Sequence, residues 1–148
     1  MANPDSVSQN TQDSFSNYRL GVIRATQLNT AGNAVITIPL LNGGLTNSGN
    51  TATSGAVIVR RVTIQNPSGT VASANISVGS TSDGANLVTA NTVISSVSAA
   101  GKFQDISSTA TTTAVSGNVT SCLYVNVNTA SGNANTVDIV VWGDVVNF

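Results

Sequence analysis

The chain has 148 residues, of which 41% are hydrophobic, 4% aromatic and only 7% charged, and its net charge is −1. That length supports one hydrophobic core rather than two, and abundant apolar residues with almost no net charge exclude a chain disordered over most of its length. Five basic residues scattered along the sequence are too few and too dispersed for a phosphate-binding surface, which excludes nucleic acid as a partner.

Residues 1–17 are polar, include Pro4 and follow neither helical nor strand periodicity. They predict an extended N-terminal arm ahead of a single β domain over 18–148. A solvated tail is the plain reading. The alternative is an arm that reaches a neighbouring subunit, with Phe15 and Tyr18 as its anchors.

From residue 19 onward, runs rich in Val and Ile are punctuated by Gly, Asn, Ser and Pro, the pattern of an antiparallel β-sandwich. About eight strands are predicted: 19–28, 34–40, 56–65, 74–79, 86–96 as a bent or divided strand, 102–106, 122–128 and 136–146. No stretch carries helical spacing. In 34–40, Ala34, Ile36, Ile38 and Leu40 share a face, and Pro39, which has no amide hydrogen, places the end of that strand at a sheet edge.

The run 56–65 breaks the alternation, because Arg60 or Arg61 must share a face with apolar residues. A bulge at the arginine pair lets Val57, Val59, Val62 and Ile64 all face the core. A strand-end arginine is an equally plain solution. The remaining alternative buries one arginine between subunits, paired with an aspartate.

Two stretches, 62–78 and 124–140, run from alternating apolar residues through a Ser-Gly turn and out through Ala-Asn, and both read as antiparallel hairpins. The uncharged stretches 42–55 and 107–117 read as long loops suited to contact with another protein. In 122–128, Leu123, Val125 and Val127 point one way, and Tyr124, Asn126 and Asn128 the other, with Cys122 packed on that second face.

The last strand is apolar on both faces: Val137, Ile139, Val141 and Val145 on one, Val140, Trp142 and Val146 on the other. Such a strand is central or covered on both sides. Trp142 is expected at an end of the core, or else at a subunit interface, with its ring nitrogen hydrogen-bonded. The candidate interface residues are therefore Arg60, Arg61, Trp142, Phe15 and Tyr18.

The chemistry of catalysis is sparse. There is no histidine and no glutamate, so the usual proton shuttles and triads are missing and we expect no enzyme. The six acids are Asp5, Asp13, Asp83, Asp105, Asp138 and Asp144. Asp83-Gly84 reads as a turn. Asp138 and Asp144 are read as partners for Arg24, Arg60, Arg61 or Lys102. One cysteine without histidine cannot build a zinc site, no EF-hand loop is present, and no Gly-rich phosphate loop precedes a helix. No metal and no cofactor is expected.

Asn75 and Asn118 match the glycosylation triplet, but the N-terminal residues lack a basic region followed by an apolar one, so no glycosylation is read from them. No stretch approaches the roughly 20 apolar residues a membrane helix needs. A chain made in the cytoplasm, without a membrane partner, is the expectation.

The stretch Val59-Arg60-Arg61-Val62-Thr63-Ile64-Gln65-Asn66-Pro67-Ser68-Gly69, the segment 85–96, Leu123-Tyr124-Val125 and Asp138-Ile139-Val140-Val141-Trp142-Gly143-Asp144-Val145 together resemble small virion proteins of tailed bacteriophages, particularly head decoration or cement proteins. The likeness covers about 56–146 and lies in composition and turn placement. It implies a jelly-roll-like or related β-sandwich, a homo-oligomer with a trimer favoured, and attachment to the major capsid protein on the virion surface. It carries over no ligand residue. The alternative is a tail, fibre or baseplate module that binds host-surface carbohydrate, for which Trp142, Tyr18, Tyr124, Phe15, Phe103 and Phe148 are the available aromatic platforms.

Overall fold

A computed structural model of the chain describes residues 18–31, 35–39, 55–81, 87–109, 115–116 and 122–147. Phe15, the arm 1–17, the stretch 42–54, Asp83, Asn118 and Phe148 lie outside the described residues. The described chain is all β: β1 (Tyr18–Gln27), β2 (Val35–Pro39), β3 (Gly55–Gln65), β4 (Asn75–Gly79), β5 (Leu87–Val93), β6 (Gln104–Ser107), β7 (Val115–Ser116), β8 (Cys122–Thr129) and β9 (Thr136–Asn147). The eight predicted strands correspond to β1 to β6, β8 and β9. The bent run at 86–96 is the single strand β5, ending at Val93. β7 corrects the loop reading of 107–117: its two residues pair with Val57 and Ala56, too short a segment to carry any alternation of its own.

The pairing is nested and antiparallel throughout. β1 pairs with β9, β2 with β8, β3 with β6 and β4 with β5. The further pairs β3–β9 and β4–β8 join these ribbons into two sheets, β1-β9-β3-β6 with β7 added along β3, and β2-β8-β4-β5. The expected edge position of Pro39 holds, since β2 is the outer strand of its sheet.

The two supposed hairpins do not pair. β3 and β4 belong to different sheets, and so do β8 and β9, so both Ser-Gly segments carry the chain across the sandwich. They meet each other at one end of the molecule. Ser68 N–H donates to Thr136 O at 2.9 Å, Thr136 N–H donates to Ser68 Oγ at 2.9 Å, and the side-chain amides of Asn133 and Asn135 both donate to Thr70 O. A Cβ added at Gly69 would stand 2.7 Å from Asn135 Nδ2 and 2.8 Å from its Cγ. Asn135 is held by its hydrogen bond to Thr70, so Gly69→Ala is expected to cost about 1–3 kcal/mol of stability, as overpacking of a fixed neighbour does. A urea midpoint that matches the parent protein would contradict this.

The core lies between the sheets and follows directly from strand alternation. On the first sheet, Ile23–Ile139–Ile64 and Val141–Val62–Ile106 form inward cross-strand rows; on the second, Ile36–Val125–Val78, Ile38–Leu123 and Val127–Ile76 face them. One end is closed by residues from the crossings. Leu28, Val71, Ala74, Ile94 and Val97 are all buried, and Val71 N–H to Val97 O and Ile94 N–H to Ala74 O tie two of these segments together.

The broken alternation in β3 resolves as a bulge. The register with β9 steps from Val59↔Gly143 to Arg61↔Trp142, leaving Arg60 as the extra residue. Val59, Val62 and Ile64 are buried, while Arg60 is exposed and Arg61 half-exposed. The side chain of Val57 is outside the described residues. β1 carries a second irregularity, where Ile23↔Ile139 is followed by Thr26↔Val137 and Arg24 and Ala25 together oppose Asp138. Ala25 sits there at φ 50°, a left-handed conformation that strains any side chain with a Cβ. Ala25→Gly is therefore expected to raise stability by about 0.5–1 kcal/mol net of the extra freedom glycine has when unfolded. A lower urea midpoint for the variant would refute that account of β1.

Candidate functional site

The outer face of the β1-β9-β3-β6 sheet brings three of the chain's five Lys and Arg residues, Arg19, Arg60 and Arg61, beside its tryptophan, Trp142. Cross-strand pairing sets Arg19 opposite Trp142, Trp142 opposite Arg61, and Arg61 opposite Ser107, so one row across four strands reads Arg19–Trp142–Arg61–Ser107. Directly opposed residues share a face of the sheet. The bulge then adds Arg60 beside the row, exposed. Without it, alternation would send Arg61 inward; with it, Arg61 lies outside and Val62 inside.

Trp142 is half-buried on this outer face, which corrects the expectation of a place in the core. Val141 and Gly143 take the inward positions on either side of it. The expected ring hydrogen bond is present: Trp142 Nε1–H donates to Thr63 Oγ1 at 2.9 Å. Thr63 in turn donates to Asp105 Oδ1. Asp105 Oδ2 lies 3.6 Å from Arg61 Nη1, and the Arg61 guanidinium stands 5.3 Å from the centre of the Trp142 ring. Four side chains from β3, β6 and β9 thus close a ring: tryptophan to threonine, threonine to aspartate, aspartate to arginine, and arginine back over tryptophan.

Arg61 has a partner within its own chain, Asp105, at a site where both side chains are about 40% exposed, so the expectation of an arginine buried with an aspartate between subunits is not needed. An ion pair this exposed contributes at most about 1 kcal/mol. Its stacking on Trp142 adds a cation–π contact and fixes a planar donor that would otherwise sample many rotamers. Arg61 Nε–H is buried and finds no acceptor among the described residues.

Asp138, by contrast, anchors the neighbouring end of the same face. It is buried, accepts from Ala25 N–H at 2.9 Å and Asn66 Nδ2 at 3.2 Å, and lies 3.9 Å from Arg24 Nη1. The expected Asp138–Arg24 pairing is present, although its main work is to satisfy the irregular backbone of β1. The side chains of Asp144, Tyr18 and Cys122 lie outside the described residues.

The strands of the β2-β8-β4-β5 sheet carry no charged residue, and its outer face mixes polar side chains with the exposed Leu87 and Val93 of β5. Thr37, Tyr124 and Gly79 oppose one another across β2, β8 and β4, and the next row sets Asn126 beside Ser77. Asn128 Nδ2 donates to both Ser77 Oγ and Asn91 Oδ1. Among the described residues, no group of three or more His, Cys, Asp or Glu side chains is placed to hold a metal ion, and no helix is long and apolar enough to cross a membrane.

Of the candidate interface residues named from the sequence, Arg60, Arg61 and Trp142 are neighbours across β3 and β9. Sequence reasoning missed Arg19, Thr63 and Asp105, which join the same face only through strand pairing. Comparison of the chain with protein-family models, with curated proteins and with solved structures gives no match.

Proposed function

We propose that this chain is a non-enzymatic virion structural protein that decorates or cements the mature head of a tailed phage, docking on the major capsid protein through the outer face of the β1-β9-β3-β6 sheet. The observation that carries this reading is the row Arg19–Trp142–Arg61 with Arg60 beside it. Tryptophan and arginine are the residues that most often dominate protein–protein binding energy. Here they stand on a rigid sheet rather than on a loop, with the ring and guanidinium already ordered against each other, so little freedom is lost on binding.

The strand order supports the resemblance to jelly-roll virion proteins. With β7 set aside, eight strands fall into two four-stranded sheets as nested pairs, the arrangement of a chain folded as one long ribbon and wrapped. A homotrimer, the favoured oligomer, would present the docking face three times over, and individually weak contacts to a repeating shell would add through avidity. Attachment late in assembly places the protein on the capsid surface.

The test is co-sedimentation of the purified protein with expanded shells that lack it, and with unexpanded ones. Saturable binding to expanded shells supports the reading; failure to bind them across a range of salt concentrations ends it.

A second reading rests on the opposite face, where Tyr124 stands between Thr37 and Gly79 with the amides of Asn126 and Asn128 in adjoining rows. An aromatic ring bordered by neutral hydrogen-bonding groups suits a saccharide, as a tail, fibre or baseplate module would require. Glycan-array binding abolished by Tyr124→Ala would favour it.

A further inference from the structure

The two sides of the sandwich, where an edge strand of one sheet faces an edge strand of the other, differ in kind. We propose that a second copy of the chain packs its β1–β2 side against the β5–β6 side of the first, head to tail. The inference takes the homo-oligomer from the proposed function and adds the surface that joins its copies.

The β5–β6 side is closed. Gln104 Oε1 accepts from Ser95 N–H at 2.9 Å and from Ser96 N–H at 3.0 Å, and Gln104 Nε2 donates to Val93 O at 3.0 Å. Farther along, Thr109 N–H and the Ser108 hydroxyl both donate to Val88 O at 3.0 Å. β6 and the residues after it thus run beside β5 and occupy polar groups that an open edge would offer to another strand. What this side leaves in water is apolar. Leu87, Val93 and Phe103, at 43%, 52% and 62% exposure, are the exposed large hydrophobic residues among those described, and apolar groups gathered in this way mark a contact surface. Leu87 opposes Gly79 and Val93 opposes Asn75, so both point away from the core. Phe103 does the same by alternation from Gln104, the partner of the inward Ile64, and the bond from Gln104 to Val93 O sets Phe103 beside Val93.

The β1–β2 side is not closed. These edge strands are not paired with each other, and Ile23 and Ile36, whose cross-strand partners Ile139 and Val125 are fully buried, remain only partly covered. One side therefore carries projecting apolar groups and the other an opening onto the core.

Charge sets the orientation. β2 and β5 carry no charged residue, β1 carries Arg19 and Arg24 and no acid, and β6 carries Asp105 and no cation. Lys102 stands ahead of β6 on the turn that its N–H closes with Ala99 O at 3.1 Å. Contact between two β1–β2 sides would set arginine near arginine, and contact between two β5–β6 sides aspartate near aspartate, whereas the head-to-tail contact sets arginine near aspartate. Unlike surfaces in contact close into a ring when the rotation between copies permits, and a trimer is such a ring.

The test is sedimentation equilibrium of the free protein. A trimer is expected, and the variant Val93→Asp, Phe103→Asp, altered only at exposed positions, is expected to sediment as a monomer with the circular dichroism of the parent. A benzophenone-bearing residue at position 103 of the otherwise unchanged protein locates the contact: adducts that join two chains through β1 or β2 support it. A parent protein that is a monomer or a two-fold dimer, an oligomer that survives both substitutions, or adducts that reach only β5 or β6 of a second chain, or none, overturns it. Shell binding is read separately. Monomeric parent protein that binds expanded shells ends this contact and leaves the capsid reading standing, and an oligomer cross-linked from position 103 to β1 or β2 that ignores shells does the reverse.

Discussion

Asp138→Ala is expected to lower the unfolding free energy by about 2 kcal/mol, because it strips a charged acceptor from two partly buried hydrogen bonds at once. Ala25 N–H and Asn66 Nδ2 both depend on this carboxylate, and the Ala25 amide belongs to the irregular turn of β1 that no ladder hydrogen bond can satisfy. Arg24 contributes much less. Its side chain is 70% exposed and 3.9 Å away, so Arg24→Ala should cost under about 1 kcal/mol. Urea unfolding with an unchanged slope reads both values. Equal losses for the two variants would mean that the ion pair, rather than the backbone anchor, is what Asp138 supplies.

On the proposed capsid-binding reading, Trp142→Ala is expected to weaken binding to expanded shells by a factor of about 30 or more, the loss of about 2 kcal/mol that a central hot-spot residue carries. It also removes one side of the ring formed with Thr63, Asp105 and Arg61, so some stability is lost with it. Trp142→Phe separates the two effects. It keeps an aromatic surface for Arg61 but leaves Thr63 without its donor, which should cost stability of about 1 kcal/mol while retaining most of the binding. Arg61→Ala should reduce binding with little change in stability, since its ion pair is exposed. Sedimentation with expanded shells, alongside urea midpoints, distinguishes these outcomes; undiminished binding by Trp142→Ala would remove this face from the interface.

The strands were legible because alternation in sequence reports directly which side chains are buried. Val62, Ile64, Leu123, Val125, Ile139 and Val141 were all assignable to a face, and all are buried. The phase break at Arg60 marked an irregularity for the same reason, with a bulge as one of its open solutions, and the register with β9 decides for the bulge. Pairing was not legible, because inward-facing residues of both sheets obey one pattern and a chain crossing between sheets resembles a chain turning back within one. The segments around Ser68 and Ser131 look like hairpin turns, yet each carries the chain to the other sheet. This also hid the site. Arg19, Arg61 and Asp105 are far apart in sequence and meet only because β9 lies between β1 and β3, and β6 lies beyond β3. Trp142 fitted the apolar run of β9 equally well on either face, and the register of its neighbours decides for the outer one. Asp138 read only as an ion-pair partner, whereas its hydrogen bond to the Ala25 amide depends on the doubled residues on β1, which no periodicity records.

The most direct test of a capsid role is the copy number of this chain relative to the major capsid protein in gradient-purified particles, read by quantitative mass spectrometry. A decoration or cement protein is predicted to be present in numbers comparable to the shell subunit. A few copies per particle would contradict that account and place the protein at a vertex, the tail or a fibre.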